Sequence, residues 1–472
     1  MKLCKLIFVA MMMAINSLSS NAVTLHTDAG RLAMLITEEM RSETSLTITG
    51  TMDARDFAIL EEAFPELTHL DISQVSIVDY SSTSSIIAGQ VRHPADALPP
   101  QAFFGMKVRE VRLPAELKSI GKGAFVATHI QAIELPESLT TIGDYAFYDC
   151  DRLRQITLPT AVASLGDYAF ADCQQLTSVD ISQTQIDSLP AYAFTGCSSL
   201  VSIVLPYQLR QIGSAAFAKT GITSISLPTT MERIGDYAFA DCKALQSVIV
   251  EAEYFAMGDG AFMECRNLTD IDLKTDNLPD YAFTGDTQLR FADDTLEGIS
   301  HIGDYALMGN RSYRLTLDRS LESIGTGAME GMSSLSVIDV SRLGDYVPQM
   351  GQDVFQGIDQ PNVKLVVADN SVATWKAAEQ WCRFNIVDVS SVIKIDTDKE
   401  SAKAWFEHSV LHIEASSPIT RLSIATTDGL QVALQRPHSC HATQDTDNLN
   451  QKIYIVVVVT TDNEVTSFKL IR

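Results

Sequence analysis

The residues that could do chemistry in this 472-residue chain are few, and most recur at regular intervals. Cys150, Cys173, Cys197, Cys242 and Cys265 form one row. Three things fit it: a disulfide ladder, a line of metal ligands, or small groups packed on one side of a repeat. Thr220 and Asp286 stand at the same place in other copies, which favours packing or a bond to backbone. Asp144, Asp167, Asp236 and Asp304 form a second row; Tyr145, Tyr168, Tyr192, Tyr237, Tyr281 and Tyr305 form a third. Carboxylates that recur for an architectural reason do not define an acid–base pair. His438-Ser-Cys440-His441 offers three ligands in four residues, but zinc needs a fourth and no second cluster accompanies it, so a solvated loop is the reading. Asp445-Thr-Asp447-Asn-Leu-Asn450 lacks the glycine and glutamate of a calcium loop and reads as a turn. There is no Gly-x-Ser-x-Gly, no His-Glu-x-x-His and no phosphate-cradling glycine loop. The chain is read as non-enzymatic, with no metal and no cofactor.

Behind these rows lies an internal repeat. Ala-Phe recurs at 102–103, 124–125, 146–147, 169–170, 193–194, 216–217, 238–239, 261–262 and 282–283, with looser copies at Ala306-Leu307, Ala328-Met329 and Val354-Phe355. The spacing runs from 21 to 26 residues and gives twelve units. A full unit reads Leu-x-x-Ile-x-Leu-Pro, then Leu-x-x-Ile-Gly-x-x-Ala-Phe-x-x-Cys. Ile-x-Leu alternates with period two and predicts a short strand. Pro114, Pro136, Pro159, Pro206 and Pro228 end those strands by removing a donor. Gly-Asp-Tyr-Ala-Phe predicts one turn of helix, with the aspartate accepting from its free N–H groups. One unit cannot bury its own apolar face, so the units must stack. At ~4.8 Å per strand, twelve of them extend on the order of 55 Å.

Composition agrees with a folded chain: 46% hydrophobic and 20% charged residues. A formal net charge of −24 argues against binding nucleic acid or an anionic membrane through a global basic surface. Lys2 and Lys5 precede the ten apolar residues Leu6 to Ile15, and Ser20-Asn21-Ala22 is a small-x-small cleavage pattern. Residues 1–22 therefore read as a signal peptide. No later segment has the ~20 apolar residues a spanning helix needs.

The repeat string, returning many times over residues 100–368, resembles the BspA-like leucine-rich repeats of bacterial surface proteins. That resemblance implies a leucine-rich repeat solenoid, a parallel β-sheet with short helical turns, in a secreted or surface-attached adhesin. Residues 23–99 are expected to form an N-terminal cap with a first repeat. Within them lie a helix over Gly30 to Met40, a strand at Leu46–Thr49, a helix over Asp56 to Phe64, a strand at Leu67–Ile72 and a Ser-rich loop over 73–98. The string Leu46 to Asp56 is similar to the cap of surface repeat proteins. Residues 369–389 are expected to close the array with a helix from Ser371 to Trp381. Residues 390–472 divide into about seven strand-like runs, the first Val392–Ile395 and the last Val465–Ile471, and predict a small immunoglobulin-like sandwich. Ile419 to Gly429, Ile453-Tyr-Ile-Val and the Lys469-Leu-Ile-Arg472 ending are similar to type A sorting domains of the type IX secretion system. Asn450-Gln451-Lys452 stands where that family has glycine.

The binding candidates are the outward strand positions: Arg109, Arg112, Arg154, Gln155, Asp180, Thr223, Ser224, Asp270 and Asp272. This face is expected to be polar, poor in aromatics, and to drift from basic to acidic. The expected function is a secreted or cell-surface protein-binding or adhesion module. Its partner would be a host, matrix or microbial surface protein, and its C-terminal domain would serve export or attachment at the extracellular face of the outer membrane. The alternative is a structural or glycan-associated surface module without a specific protein ligand.

Overall fold

Each repeat unit becomes one coil, and most coils carry two strands. The computed structural model describes residues 22–389 apart from 85–88, 272–274, 290, 292–294 and 297, and then 402–407, 410–415, 417–426, 431–435, 437, 439–445, 453–461 and 465–471. The expected signal sequence (apart from Ala22) and the expected strand Val392–Ile395 lie outside the described residues. Contacts divide the described residues into two units: those up to Leu365 with Thr374–Asn385, and Val366–Ala373 with those from Ile386 onward.

In the first unit the Ile-x-Leu runs pair in parallel. Gln155–Thr157, Ser178–Asp180 and Ser202–Val204 lie side by side, with Ile156 opposite Val179 and Val179 opposite Ile203. Near-constant unit length sets this register, and the register puts every inward isoleucine or valine over its counterpart. A second strand of only two residues follows in each unit, as at Ser119–Ile120, Thr141–Ile142 and Ser164–Leu165. Together the strands make a parallel solenoid of about 15 turns.

The Gly-Asp-Tyr-Ala-Phe segments are not helical. Tyr145, Tyr168, Tyr192, Tyr237, Tyr281 and Tyr305 all take left-handed backbone, with φ between 55° and 59°. Such a conformation costs a non-glycine residue on the order of 1–3 kcal/mol and persists only where its surroundings enforce it. Here they do, because alternate N–H groups leave the turn. Tyr145, Phe147 and Asp149 donate to the carbonyls of Asp167, Ala169 and Ala171 one coil on, at 2.8–2.9 Å. Ala146, Tyr148 and Cys150 donate three residues back within the turn. A helix would keep all these bonds to itself and leave adjacent coils unjoined. Glycine opens the segment because coils touch there: a Cβ on Gly166 would stand 2.2 Å from the Asp144 nitrogen.

The core of the solenoid is a column of phenylalanines. Phe103, Phe125, Phe147, Phe170, Phe194, Phe217, Phe239, Phe262 and Phe283 are fully buried, with successive centroids 4.9–5.6 Å apart. From Phe125 onward the rings are stacked nearly parallel.

At the N-terminal end, strands Val23–Thr27 and Ser45–Met52 precede His69–Ile77 in the sheet. Residues 30–40 are not the expected helix but hold two 3-10 turns, Leu32–Met34 and Glu38–Ser42. Of Leu32, Leu35, Ile36 and Met40, which a helix would place on one face, only Leu32 is buried. Buried Asp56 fixes this entry by accepting from the N–H groups of Gly30, Leu32 and Asp53 at 2.6–3.0 Å. The second expected helix is two short turns, Ala54–Phe57 and Leu60–Ala63. The Ser-rich stretch contains an antiparallel hairpin, Tyr80–Ser84 with Gly89–His93.

At the other end the helix is shorter than expected, Val372–Ala377, and Trp381 begins a 3-10 turn. Trp375 and Trp381 are fully buried, and Trp381 meets Phe355 edge-on at 4.8 Å. Gln380 supplies what a further coil would. Its amide donates to the Gly351 carbonyl at 2.7 Å and accepts from the Val354 N–H at 3.0 Å. A side-chain amide is the closest mimic of the missing peptide bond, which is what an open solenoid end needs.

The second unit is antiparallel. One sheet orders Ala402–Glu407, Val410–Ala415 and His441–Asp445; the other orders Gln431–Gln435, Ile419–Thr426, Ile453–Thr460 and Val465–Ile471. Leu411, Ile413, Leu422, Ile424, Ala442, Val456 and Val458 form one buried cluster drawn from both. His441, expected in a solvated loop, and Asp445, expected in a turn, are the two ends of the strand His441–Asp445. Backbone pairing to Val410–Glu414 outweighs its polar composition.

Candidate functional site

Part of the candidate set shares one side of the parallel sheet. Gln155, Asp180 and Ser224 are exposed at outward strand positions beside inward Ile156, Val179 and Ile225, and Arg109, Arg154 and Thr223 are exposed one residue before their strands. Thr157 lies opposite Asp180, and Asp180 opposite Val204. They are spread over many coils, not gathered at one point. Arg112 is half-buried and engaged within the chain, 3.7 Å from Asp71 and 3.5 Å from Glu110. Asp270 begins the strand Asp270–Ile271, and Asp272 lies outside the described residues.

The same face carries apolar residues that the polar reading overlooked. Val201, Val204 and Ile249 are exposed, the last two at 59% and 58%. Ile249 pairs with Ser226 across the sheet. The signal was in the sequence: in Ser202-Ile-Val204, period two turns Ile203 inward and Ser202 and Val204 outward, while Val201 precedes the strand.

The cysteine row is internal. All five residues are buried and unbridged. Each thiol donates to a phenylalanine carbonyl of the preceding coil: Cys150 to Phe125, Cys173 to Phe147, Cys197 to Phe170, Cys242 to Phe217 and Cys265 to Phe239, at 3.0–3.1 Å. Burial pushes the thiols of Cys150, Cys173 and Cys265 well up, so they stand as neutral donors. Thr128 and Thr220 occupy the same place and donate to Phe125 and Phe217 of their own coils. Asp286 occupies it too, fully buried, with neither carboxyl oxygen partnered. Burial holds its pKa well above the usual carboxylate range. Among the described residues, no group of three His, Cys, Asp or Glu side chains is placed to hold a metal.

The aspartate row bonds between coils, not within a helical turn as expected. The Oδ1 atoms of Asp144, Asp167, Asp236 and Asp304 accept from the N–H groups of Asp167, Ala191, Asp259 and Thr326, at 2.6–3.3 Å. The tyrosine row lies beside it. Tyr145, Tyr168 and Tyr192 stack at 4.8 and 4.4 Å, and Tyr281 stacks on Tyr305 at 5.4 Å. Between these stacks the row is interrupted, with Ala215 and Gly260 taking the tyrosine position on either side of Tyr237.

Comparison with known proteins fits this geometry. Residues 96–209, 183–290 and 275–376 match the BspA type leucine rich repeat region in six copies, and together they span more than half of the chain. A leucine-rich repeat protein of Bacteroides ovatus has a similar structure, with a TM-score of 0.57 and 21% identity, covering 79% of this chain and 93% of its own. That likeness speaks for the fold. A leucine rich cell surface protein of Faecalibacterium prausnitzii overlaps 55% of this chain and 85% of its own, at 22% identity and a TM-score of 0.25. No curated protein matches.

Proposed function

Because the chain belongs to the BspA-type leucine-rich repeat family, we propose that it is an exported bacterial surface protein whose strand face holds a host, matrix or microbial surface protein. The observation that carries this reading is the in-register parallel sheet with exposed Gln155, Asp180, Val204 and Ile249 on one side, and exposed Arg109 and Arg154 just before its strands. A face built on a stacked core is ordered before the partner arrives, so little conformational entropy is lost on binding. Its exposed valines and isoleucine give apolar contact, and the surrounding charges give register and selectivity. Nothing in the arrangement asks for catalysis.

Residues 1–22 would direct export, 23–99 would cap the array, 100–368 would form it and 369–389 would close it. Residues 390–472, an immunoglobulin-like sandwich in this reading, would serve as the sorting or attachment domain at the extracellular face of the outer membrane. Among the described residues, no helix is long and apolar enough to cross a membrane. Pull-down of extracellular matrix proteins with the wild type and with Arg109→Glu, Arg112→Glu and Arg154→Glu combined tests the face. The proposal expects loss of capture, and unchanged capture rejects it. Mass spectrometry of the mature C-terminus on fractionated cells tests the sorting role. Removal of the residues after 390 supports it, and their retention favours a spacer.

A further inference from the structure

The two ends of the solenoid are finished differently. At the C-terminal end, Trp381 and Phe384 pack on Phe355 of the last repeat, and Gln380 takes the place of a further coil. At the N-terminal end the sheet stops at Val23–Thr27. That strand pairs with Ser45–Met52 and has no strand on its other side among the described residues. The apolar side chains of this first coil lack a cover too. Met34 and Leu35 are exposed at 81% and 38%, and Ile36 and Met40 are half-buried. Open sheet edges are usually blunted by lysine, proline or a bulge. Val23-Thr-Leu-His-Thr27 has none of these.

Neighbouring atoms fix which way the edge groups point. The Leu25 carbonyl accepts from Thr49 Oγ1 at 3.4 Å, and a Cβ on Gly50 would stand 2.3 Å from the Thr27 carbonyl oxygen. Both carbonyls therefore face Ser45–Met52. The N–H and C=O of one residue point to the same side of a strand, and successive residues alternate. Thr24 and His26 thus turn theirs to the open side. Side chains alternate as well: Leu25 and Thr27 are buried, Thr24 and His26 exposed. Such an edge is complementary to itself. With a two-fold axis at Leu25, antiparallel pairing sets Thr24 opposite the partner's His26 and His26 opposite the partner's Thr24. Every outward N–H and C=O of the edge then finds a partner, and the Leu25 side chains of the two copies meet on the core side.

We propose that two copies of the mature chain pair head to head through Val23–Thr27, so that one antiparallel strand pair joins their sheets. The inference rests on the reading that residues 1–22 are removed in export. The chain then starts at Val23, and the register places its α-ammonium group beside exposed Asp28 of the second copy, twice over around the axis. Opposite charges thus meet at both ends of a strand that carries no formal charge of its own. A pair joined this way carries two strand faces, which raises avidity for a partner that is itself repeated.

The test is analytical ultracentrifugation of residues 23–472 over a range of concentrations, with the start at Val23 confirmed by mass spectrometry. A reversible species of twice the monomer mass is expected. His26→Pro removes an N–H that the chain does not use in its own sheet, so it should abolish the dimer and leave the thermal melt in place. Asp28→Lys should weaken the dimer. Combined Arg109→Glu, Arg112→Glu and Arg154→Glu should leave it unchanged, which separates this edge from the strand face. Mild oxidation in a Cys382→Ser, Cys440→Ser background reads the register. Leu25→Cys lies opposite itself and should cross-link two copies, whereas Thr24→Cys should not. A monomer at every concentration, a dimer that survives His26→Pro, or equal cross-linking of the two cysteine variants overturns the proposal. A native N-terminus upstream of Val23 overturns the export reading on which the pairing rests, whereas chains that begin at Val23 and stay monomeric overturn the pairing alone.

Discussion

Two rows run along this solenoid, one buried and one exposed, and both are broken in the same stretch of coils. In the buried row, Cys173 and its fellows donate to phenylalanine carbonyls, and Asp286 follows the last of them with two unpartnered oxygens. In the exposed row, stacked tyrosines cover one another, and Ala215 and Gly260 interrupt them around Tyr237. A buried break removes hydrogen bonds that water cannot replace. An exposed break removes only ring contacts at the surface. The repeat itself is architecture, and its departures are where stability is set.

The largest effect should come from the column on which both rows depend. Phe170→Ala removes a fully buried ring stacked on Phe147 and Phe194 and should cost about 3–5 kcal/mol by urea denaturation. A loss below ~1 kcal/mol would mean that the coils do not rely on the column.

Repairing the buried break comes next. Asp286→Thr installs the donor that Thr128 and Thr220 use and should raise stability at pH 7 by about 1–3 kcal/mol, the cost of an unsatisfied buried polar group. The sign follows from the raised folded pKa. Protonated Asp286 contributes its stability fully below the ordinary value of 3.8, and that contribution is lost as pH rises toward the folded pKa. The advantage of Asp286→Thr should therefore be smallest near pH 4 and grow toward pH 8. An advantage that shrinks with rising pH would contradict the assignment.

Smaller still, Cys173→Ala should cost about 1 kcal/mol through its lost bond to the Phe147 carbonyl, and Cys173→Thr should recover most of it. Equal melting of the two variants would show that the row needs volume and not a donor. The smallest change is at the surface: Arg210→Ala breaks an exposed ion pair with Glu232 and should leave the thermal melt essentially where the wild type has it.

Much of this was legible in the residues. The Ala-Phe period set the coil length, Ile-x-Leu set the inward face, and threonine in place of cysteine pointed to packing. The left-handed turn was not legible, because Gly-Asp-Tyr-Ala-Phe has a local preference for a helical turn and only the carbonyls of the next coil override it. The helix expected over residues 30–40 failed for a similar reason, since Asp56 captures the N–H groups of Gly30 and Leu32 from outside the segment. Strand His441–Asp445 was hidden because its partner, Val410–Glu414, lies about thirty residues back along the chain. The tyrosine row was visible in the sequence, but the stacking of Tyr145, Tyr168 and Tyr192 appears only when the coils are in register.

The claim that the break in the buried row costs stability meets its most direct test in urea denaturation of the wild type and Asp286→Thr at pH 4 and pH 8. The account predicts that Asp286→Thr is more stable by about 1–3 kcal/mol at pH 8 and that the gain shrinks at pH 4. Equal stability at pH 8, or a larger gain at pH 4, would contradict it.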